Sequence, residues 1–405
     1  MRIGVDIRSL MDPIRTGVGE YTHELLNALF KIDKNNQYFL FYNSFKIRNT
    51  KGYENTKYEK MSDCVRLWNQ ENVHYAGTRY PNKLFNASQV LFKWPKLDKI
   101  VCGKRRGERG KRLIDIWFSP NLNFASVSSK TKHLLTIHDL SFEILPECFS
   151  AKRRLWHKII NPRKQCERAD LILTPSENTA RDVIELYDIC ADKVKVLYPG
   201  LCSGFEKLET GNWKLEIGNW KLEVKKKYNL PEKFILFLGT IEPRKNIEAI
   251  MEAFEKSCLI INHYSLIIAG AKGWKSEPIM AKINTTPGVE YLGYVDEKDK
   301  RMLYGLADLF IYPSLYEGFG FPVLEAMASG IPVVTSNRSS LPEVAGDAAH
   351  LVNPYNVNEM ARAMGQLLED NKLRELFIKR GRNKAKEFRW DKTAQEFLAL
   401  LRDSV

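Results

Sequence analysis

Short apolar runs rich in β-branched and aromatic residues alternate with helical stretches along this chain, and the alternation begins afresh near residue 234. Such alternation restricts a chain to parallel α/β architecture, because each buried parallel strand must be followed by a helix that returns to the same end of the sheet. In the first half the expected strands are RIGVDI (2–7), QYFLFY (37–42), DIWFS (115–119), HLLTIH (133–138), DLILTP (170–175) and KVKVLYP (193–199). In the second they are FILFLG (234–239), YSLIIAG (264–270), VEYLG (289–293), DLFIYP (308–313), PVVTS (332–336) and HLV (350–352). Two successive doubly wound sheets follow, and 405 residues are enough for each to have its own core. The expected division is a first Rossmann-like domain over 1–205, a hinge or insertion over 206–230, a second Rossmann-like domain over 231–388 and a terminal helix over 389–405. The hinge contains a duplicated heptad, GNWKLEI then GNWKLEV, at 211–217 and 218–224, which fits a helical or extended insertion.

Composition narrows the partners. The chain is 44% hydrophobic and 11% aromatic, a globular balance. No apolar stretch approaches the length of a membrane span, and MRIGVDIRSL reads as a first strand rather than a leader. The seven cysteines contain no C-x-x-C and have no histidine at zinc spacing, so reduced cytosolic thiols and no structural metal are expected. The net charge of +13 is uneven: residues 1–200 hold 34 Lys and Arg against 22 Asp and Glu, and residues 201–405 hold 28 against 27. The excess is concentrated in KIVCGKRRGERGKR (99–112) and AKRRLWHK (151–158), the former beside NKLFNASQVLFKWPKL, where Leu84, Phe85, Leu91 and Trp94 recur at helical spacing. This pattern fits either an anionic membrane surface or a solvated basic face beside an ordinary core helix. Nucleic acid is not expected, since no reading motif accompanies the charge.

The run EGFGFPVLE carries the most functional information. DLFIYP suits a buried strand, SLYEGFG a loop, and FPVLEAMASG a helix with Pro322 at its first position and Gly330 at its stop. Gly318, Phe319, Gly320 and Phe321 thus lie at a helix start, where free N–H groups and the helix dipole attract phosphate oxygens. Glu325, about one turn into that helix, is placed to accept from a ribose diol, and Glu317, before the turn, to face a hexose on the far side of a diphosphate. In TIEPRKN, Arg244 and Lys245 fall just beyond the carboxyl end of a strand, where two cations suit a diphosphate. In TGVGEYTHELL, Gly17 and Gly19 occupy a turn that opens a helix behind the first strand and lets backbone approach a ligand closely.

The sequence GFGFPVLEAMASGIPVVTS, followed by SSLPEVAGDAAHLVNP, closely resembles the donor-binding core of glycosyltransferase family 4. The resemblance extends in motif order over most of residues 1–390 and is dense in about 234–354. It implies the GT-B fold, two Rossmann-like domains facing a cleft, with the terminal helix DKTAQEFLALLRDS (391–404) crossing back to the first domain. It further implies a retaining hexosyltransferase that uses a nucleotide sugar, GDP-mannose or a UDP-hexose, and a glycan or lipid-linked acceptor. The form GTIEPRKN resembles bacterial mannosyltransferases within the family, which favours mannose. By the same resemblance His138 contacts the sugar near its reacting carbon, Tyr294 and Val295 hold the base through their backbone, and Gly17 and Gly19 touch donor and acceptor. Thr240 stands where many relatives carry a further arginine, which leaves that phosphate contact to Arg244 or Lys245. The catalytic set is then His138, Arg244, Lys245 and Glu317. No metal or cofactor is expected, for no DxD triad appears in these motifs. The implied location is cytoplasmic, peripheral on the membrane if the basic surface docks there. Two other readings stay open: a GT-B enzyme of another class, such as a sugar-nucleotide epimerase, and a non-catalytic basic binding protein.

Overall fold

The computed structural model describes residues 1–11, 17–43, 68–102, 113–202, 204–205, 213–261 and 263–403. Residues 103–112 of the basic run, residues 211–212 of the duplicated heptad and residues 206–210 of the expected hinge lie outside them.

The first sheet comprises β1 (Arg2–Asp6), β2 (Gln37–Asn43), β3 (Val73–Thr78), β4 (Ile116–Ser119), β5 (Lys132–Thr136), β6 (Leu171–Thr174) and β7 (Val194–Val196). Its order is β3-β2-β1-β4-β5-β6-β7, with every pairing parallel. The second sheet comprises β8 (Phe234–Leu238), β9 (Ser265–Ala269), β10 (Val289–Gly293), β11 (Leu309–Tyr312), β12 (Val333–Ser336) and β13 (His350–Val352), ordered β10-β9-β8-β11-β12-β13 and again parallel throughout. The apolar runs of the sequence become the strands because both faces of a parallel sheet are covered by helices. One strand is not among them: β3, VHYAGT, is a margin strand with a single neighbour and mostly half-buried residues, so no apolar run marks it. In both sheets the strand order reverses beside the first strand, at β1/β4 and β8/β11, and such reversals open a crevice beyond the carboxyl ends of the strands.

The terminal helix Trp390–Asp403 belongs to the core of the first domain, not the second. Trp390, Ala394, Phe397 and Leu401 pack with Tyr21, Leu25 and Leu29 of the helix Gly17–Ile32, and the Phe397 ring lies 4.8 Å from that of Phe118 on β4. The crossing point is pinned by backbone, Leu201 N donating to Phe388 O at 3.0 Å, and by Thr393 Oγ1 donating to Tyr198 O at 2.7 Å. From Trp213 on, the duplicated heptad is helical: Trp213–Lys227 is one helix, which lies along the helix Glu297–Leu306 and ties Lys227 to Asp296 and Asp299, each at 2.6 Å. No helix among the described residues is long and apolar enough to cross a membrane.

Because Phe397 is fully buried in a domain remote from it in sequence, Phe397→Ala should cost the first domain about 3–5 kcal/mol. Urea denaturation measures this, and a loss below about 1 kcal/mol would show that the returning helix is not part of that core.

Candidate active site

The carboxyl end of β8 runs into Thr240–Glu242 and a short 3-10 turn, Pro243–Lys245, which brings two cations under two carboxylates. Arg244 Nη1 donates to Glu317 Oε2 at 2.9 Å and to Tyr316 O at 2.6 Å, while Nη2 donates to Glu242 Oε1 at 2.8 Å. Lys245 Nζ donates to Glu317 Oε1 at 2.5 Å and to Tyr312 Oη at 2.7 Å. All four charged groups are buried or nearly so, and their balance decides their ionisation. Burial works against the charge on Glu317, but Arg244 and Lys245 outweigh it and bring its carboxyl from 4.5 down to about 2. Burial likewise opposes Arg244, and Glu317 and Glu242 outweigh it to raise the guanidinium. For Lys245 burial, joined by the neighbouring Arg244 charge, prevails and lowers the ammonium. Because the folded pKa of Glu317 lies below its unfolded one, its ionisation stabilises the fold fully above the ordinary carboxylate range. That contribution is lost as pH falls from 4.5 toward about 2.

The two cations that the sequence placed at this strand end are thus already paired with carboxylates. Arg244 Nε and Glu242 Oε2 remain buried without a hydrogen-bond partner, one donor and one acceptor held inside the crevice.

The loop after β11 delivers Glu317 and the helix Phe321–Ser329. Pro322 is the second residue of that helix rather than the first, and Gly330 stops it with φ +75°. Gly320 supplies φ +120°, which turns the chain into the helix. Gly318 has a different task from the open backbone expected of it. A Cβ there would lie 1.9 Å from His138 O, and its own carbonyl accepts from Ser176 Oγ at 2.7 Å and Thr179 Oγ1 at 3.2 Å. It is a contact between the two domains. The Phe319 ring is buried against Phe321 and Phe388, so Phe319 offers a ligand only its backbone. Phe321 packs against the cores of both domains.

Glu325 is 1% exposed, with Oε1 accepting from Lys300 Nζ at 3.0 Å and Oε2 from Tyr304 Oη at 2.9 Å. Burial pushes its carboxyl upward. Each oxygen keeps a lone pair beyond these bonds, as a bidentate contact to a diol requires. Tyr294 is exposed and Val295 buried just after β10, so only the Tyr294 side chain is available to solvent there. Thr240 is exposed beside Gly273.

From the first domain, His138 follows β5, donates through Nε2 to Pro120 O at 2.8 Å and meets Tyr21 edge-on at 4.8 Å. Burial lowers its pKa, so the ring is neutral at neutral pH. Gly17 and Gly19 lie within the first turn of the helix Gly17–Ile32 rather than in a turn before it. Gly17 is exposed with open space where a Cβ would be, and Gly19 is buried. Among the described residues, Glu20, His23 and Glu24 of the same helix form the group whose ligand atoms could hold an ion, within 4.8 Å of one another. His23 Nδ1 already lies 3.3 Å from Glu24 Oε1.

Several residues of this site carried no reading in the sequence. Glu242 had a local signal, an acid two residues before Arg244. Lys300 and Tyr304, one helical turn apart, reach Glu325 only through the packing of two helices. Glu343 accepts from Glu177 N at 2.8 Å and Tyr198 Oη at 2.6 Å, capping a helix of the opposite domain.

Residues 219–384 match the family described as Glycosyl transferases group 1, and residues 110–202 match Glycosyltransferase Family 4. O-antigen chain mannosyltransferase B of Escherichia coli is 31% identical over 388 residues, covering 94% of this chain and 95% of that protein. Among solved structures, sucrose-phosphate synthase of Thermosynechococcus elongatus superposes with a TM-score of 0.70 at 18% identity, over 100% of this chain and 98% of the other. HepE of Anabaena, solved with UDP and glucose, gives 0.68 at 15% identity over 99% of both. The fold is GT-B, as the resemblance implied, and the chain is a glycosyltransferase that belongs to glycosyltransferase family 4.

Proposed function

We propose that this glycosyltransferase moves mannose from GDP-mannose, with retention of anomeric configuration, to a glycan or lipid-linked acceptor in cell-surface polysaccharide assembly. The observation that carries the reading is the joining of Glu317 to both Arg244 and Lys245 at the carboxyl end of β8, beside the start of the helix Phe321–Ser329. A donor diphosphate placed there meets two cations and a helix N-terminus, and the sugar beyond it meets Glu317 and His138. The choice of mannose is supported by the near full-length similarity to O-antigen chain mannosyltransferase B.

In this reading the bond between the anomeric carbon and the diphosphate oxygen breaks, and the acceptor hydroxyl oxygen bonds to the same face of that carbon. The acceptor proton passes to the departing diphosphate. Arg244 and Lys245 stabilise the charge that gathers on that leaving group, and pre-arranged cations in a water-poor site do this at little reorganisation cost. Their pairing with Glu317 keeps both in place before the donor arrives, and Glu317 in turn faces the ring as positive charge develops on it. Glu325, held by Lys300 and Tyr304, receives the ribose diol. The two cations supply the electrophilic role that a divalent ion plays in other transferases, so the reading requires no metal.

The donor assignment is tested by thermal shift with GDP-mannose against UDP-glucose, UDP-galactose and UDP-N-acetylglucosamine. A ligand at a hundred times its Kd adds about 2.7 kcal/mol of stability, so the true donor should stand apart. The anomeric configuration of the product, read by proton NMR, must then match that of the donor. Stabilisation by a UDP-sugar alone, or an inverted product, would overturn the reading. Transfer should also survive chelation by EDTA, and its loss would show that an ion is required.

The two carboxylates separate by role. Glu325→Gln should weaken binding of free GDP about tenfold, the equivalent of roughly one charged hydrogen bond. Glu317→Gln should lower kcat by about a hundredfold and leave GDP affinity nearly unchanged. Equal losses of GDP affinity in calorimetry would contradict this division.

A further inference from the structure

Glu325 sits on the helix Phe321–Ser329, but the two donors that hold its carboxylate, Lys300 Nζ and Tyr304 Oη, both belong to the helix Glu297–Leu306. The setting of that second helix therefore decides where the carboxylate lies. Lys300 and Tyr304 share one of its faces, since a helix brings positions i and i+4 together. Next to Lys300 stands Asp299, an acid only 3% exposed that takes no part in the charge cluster around Glu317. An acid in the first turn of a helix gains from the dipole while still in water, so its burial needs a separate reason.

The duplicated heptad supplies that reason. Its second copy, 218–224, lies in the latter half of the helix Trp213–Lys227, and from this helix and the residue after it three donors converge on Asp299. Lys227 Nζ donates to Oδ2 at 2.6 Å, Tyr228 Oη to Oδ2 at 3.1 Å and Trp220 Nε1 to Oδ1 at 3.5 Å. Burial opposes the charge on Asp299, but these donors outweigh it and lower its pKa. Lys227 also bonds Asp296, which occupies the N-cap position without capping the helix through its own side chain. At the far end Lys221 Nζ donates to Gly305 O at 3.3 Å, so one helix grips the other at its first turn and its last. The segment between the domains adds a third hold: Arg301 Nη1 donates to Gly204 O, and the Phe205 ring meets that of Tyr304 edge-on at 6.0 Å.

We propose that the duplicated-heptad helix is a brace for the nucleotide site, with Asp299 a positioning residue that sets Glu325 through Lys300 and Tyr304. Loosening Asp299 then acts as a partial loss of Glu325. A plain packing contact would behave otherwise, losing stability and leaving nucleotide affinity alone. That Glu325 receives the ribose diol rests on the function proposed above; the tie from Asp299 to Glu325 does not.

The test compares the full chain in four forms, wild type, Asp299→Asn, Glu325→Gln and the double variant, by urea denaturation without ligand and by calorimetry with GDP. The two substitutions should be non-additive in stability. Asp299→Asn should weaken GDP binding about three- to tenfold with kcat nearly unchanged, and that loss should vanish once Glu325 is replaced. Lys227→Met should show the same split, and Lys227→Arg should restore wild-type affinity. The Lys227 side chain is half-exposed, so the same cycle run with Lys227→Met gives the answer if Asp299→Asn does not fold. Additive stabilities would overturn the brace, as would wild-type GDP affinity in Asp299→Asn and Lys227→Met while Glu325→Gln loses its own. Coupled stabilities with GDP affinity unchanged in every variant would count instead against the ribose assignment of Glu325.

Discussion

Four charges share one buried cluster at the end of β8, and the architecture of the cleft depends on their balance. Glu317 alone would be an uncompensated buried carboxylate, and Arg244 alone an uncompensated guanidinium; either would cost several kcal/mol. Together with Lys245 and Glu242 they are neutral in sum and hydrogen-bonded in chains that run from β8 to the loop after β11. The cluster thus fixes two loops from non-adjacent stretches of sequence against one another. Arg244 Nε lies buried in this cluster without a hydrogen-bond partner, and under the proposed function an entering diphosphate would add negative charge beside it.

The same loop that ends in Glu317 also touches the other domain. Gly318 fits only because it has no side chain to strike the His138 carbonyl, and the Ser176 and Thr179 hydroxyls donate to its own carbonyl. Glu343 reaches across to cap the helix that begins at Glu177, and Tyr316 bonds to Asp182 on that helix. On the other flank Trp274 stacks on Phe149 at 5.4 Å and donates to Cys148 O at 2.8 Å. A substitution at this boundary therefore acts on the buried charge cluster and on domain contact at once.

Much of this was legible in the chain because buried parallel strands write themselves as apolar runs, and because helix starts and strand ends mark their own positions. β3 escaped because a margin strand shows one face to solvent and need not be apolar. The terminal helix announced its amphipathic period, but its place beside the helix Gly17–Ile32 came only through resemblance, since periodicity says nothing of the partner. In the site, Glu317, Arg244 and Lys245 stood out by their place at strand ends. Lys300 and Tyr304 did not, because their relation to Glu325 exists only after two helices pack. Gly318 was visible as a glycine that had to be there, yet its reason, the backbone of His138, lies 180 residues away in sequence.

The central claim is that Glu317 and Arg244 act as one unit on the leaving group. A double-mutant cycle on donor kcat/KM with Glu317→Gln, Arg244→Ala and the combination measures this directly. If they act as one unit, Arg244→Ala costs at least about tenfold less in the Glu317→Gln background than in the wild type, a coupling of about 1.4 kcal/mol. Losses that simply multiply would contradict the account and leave the two as independent contacts that happen to be neighbours.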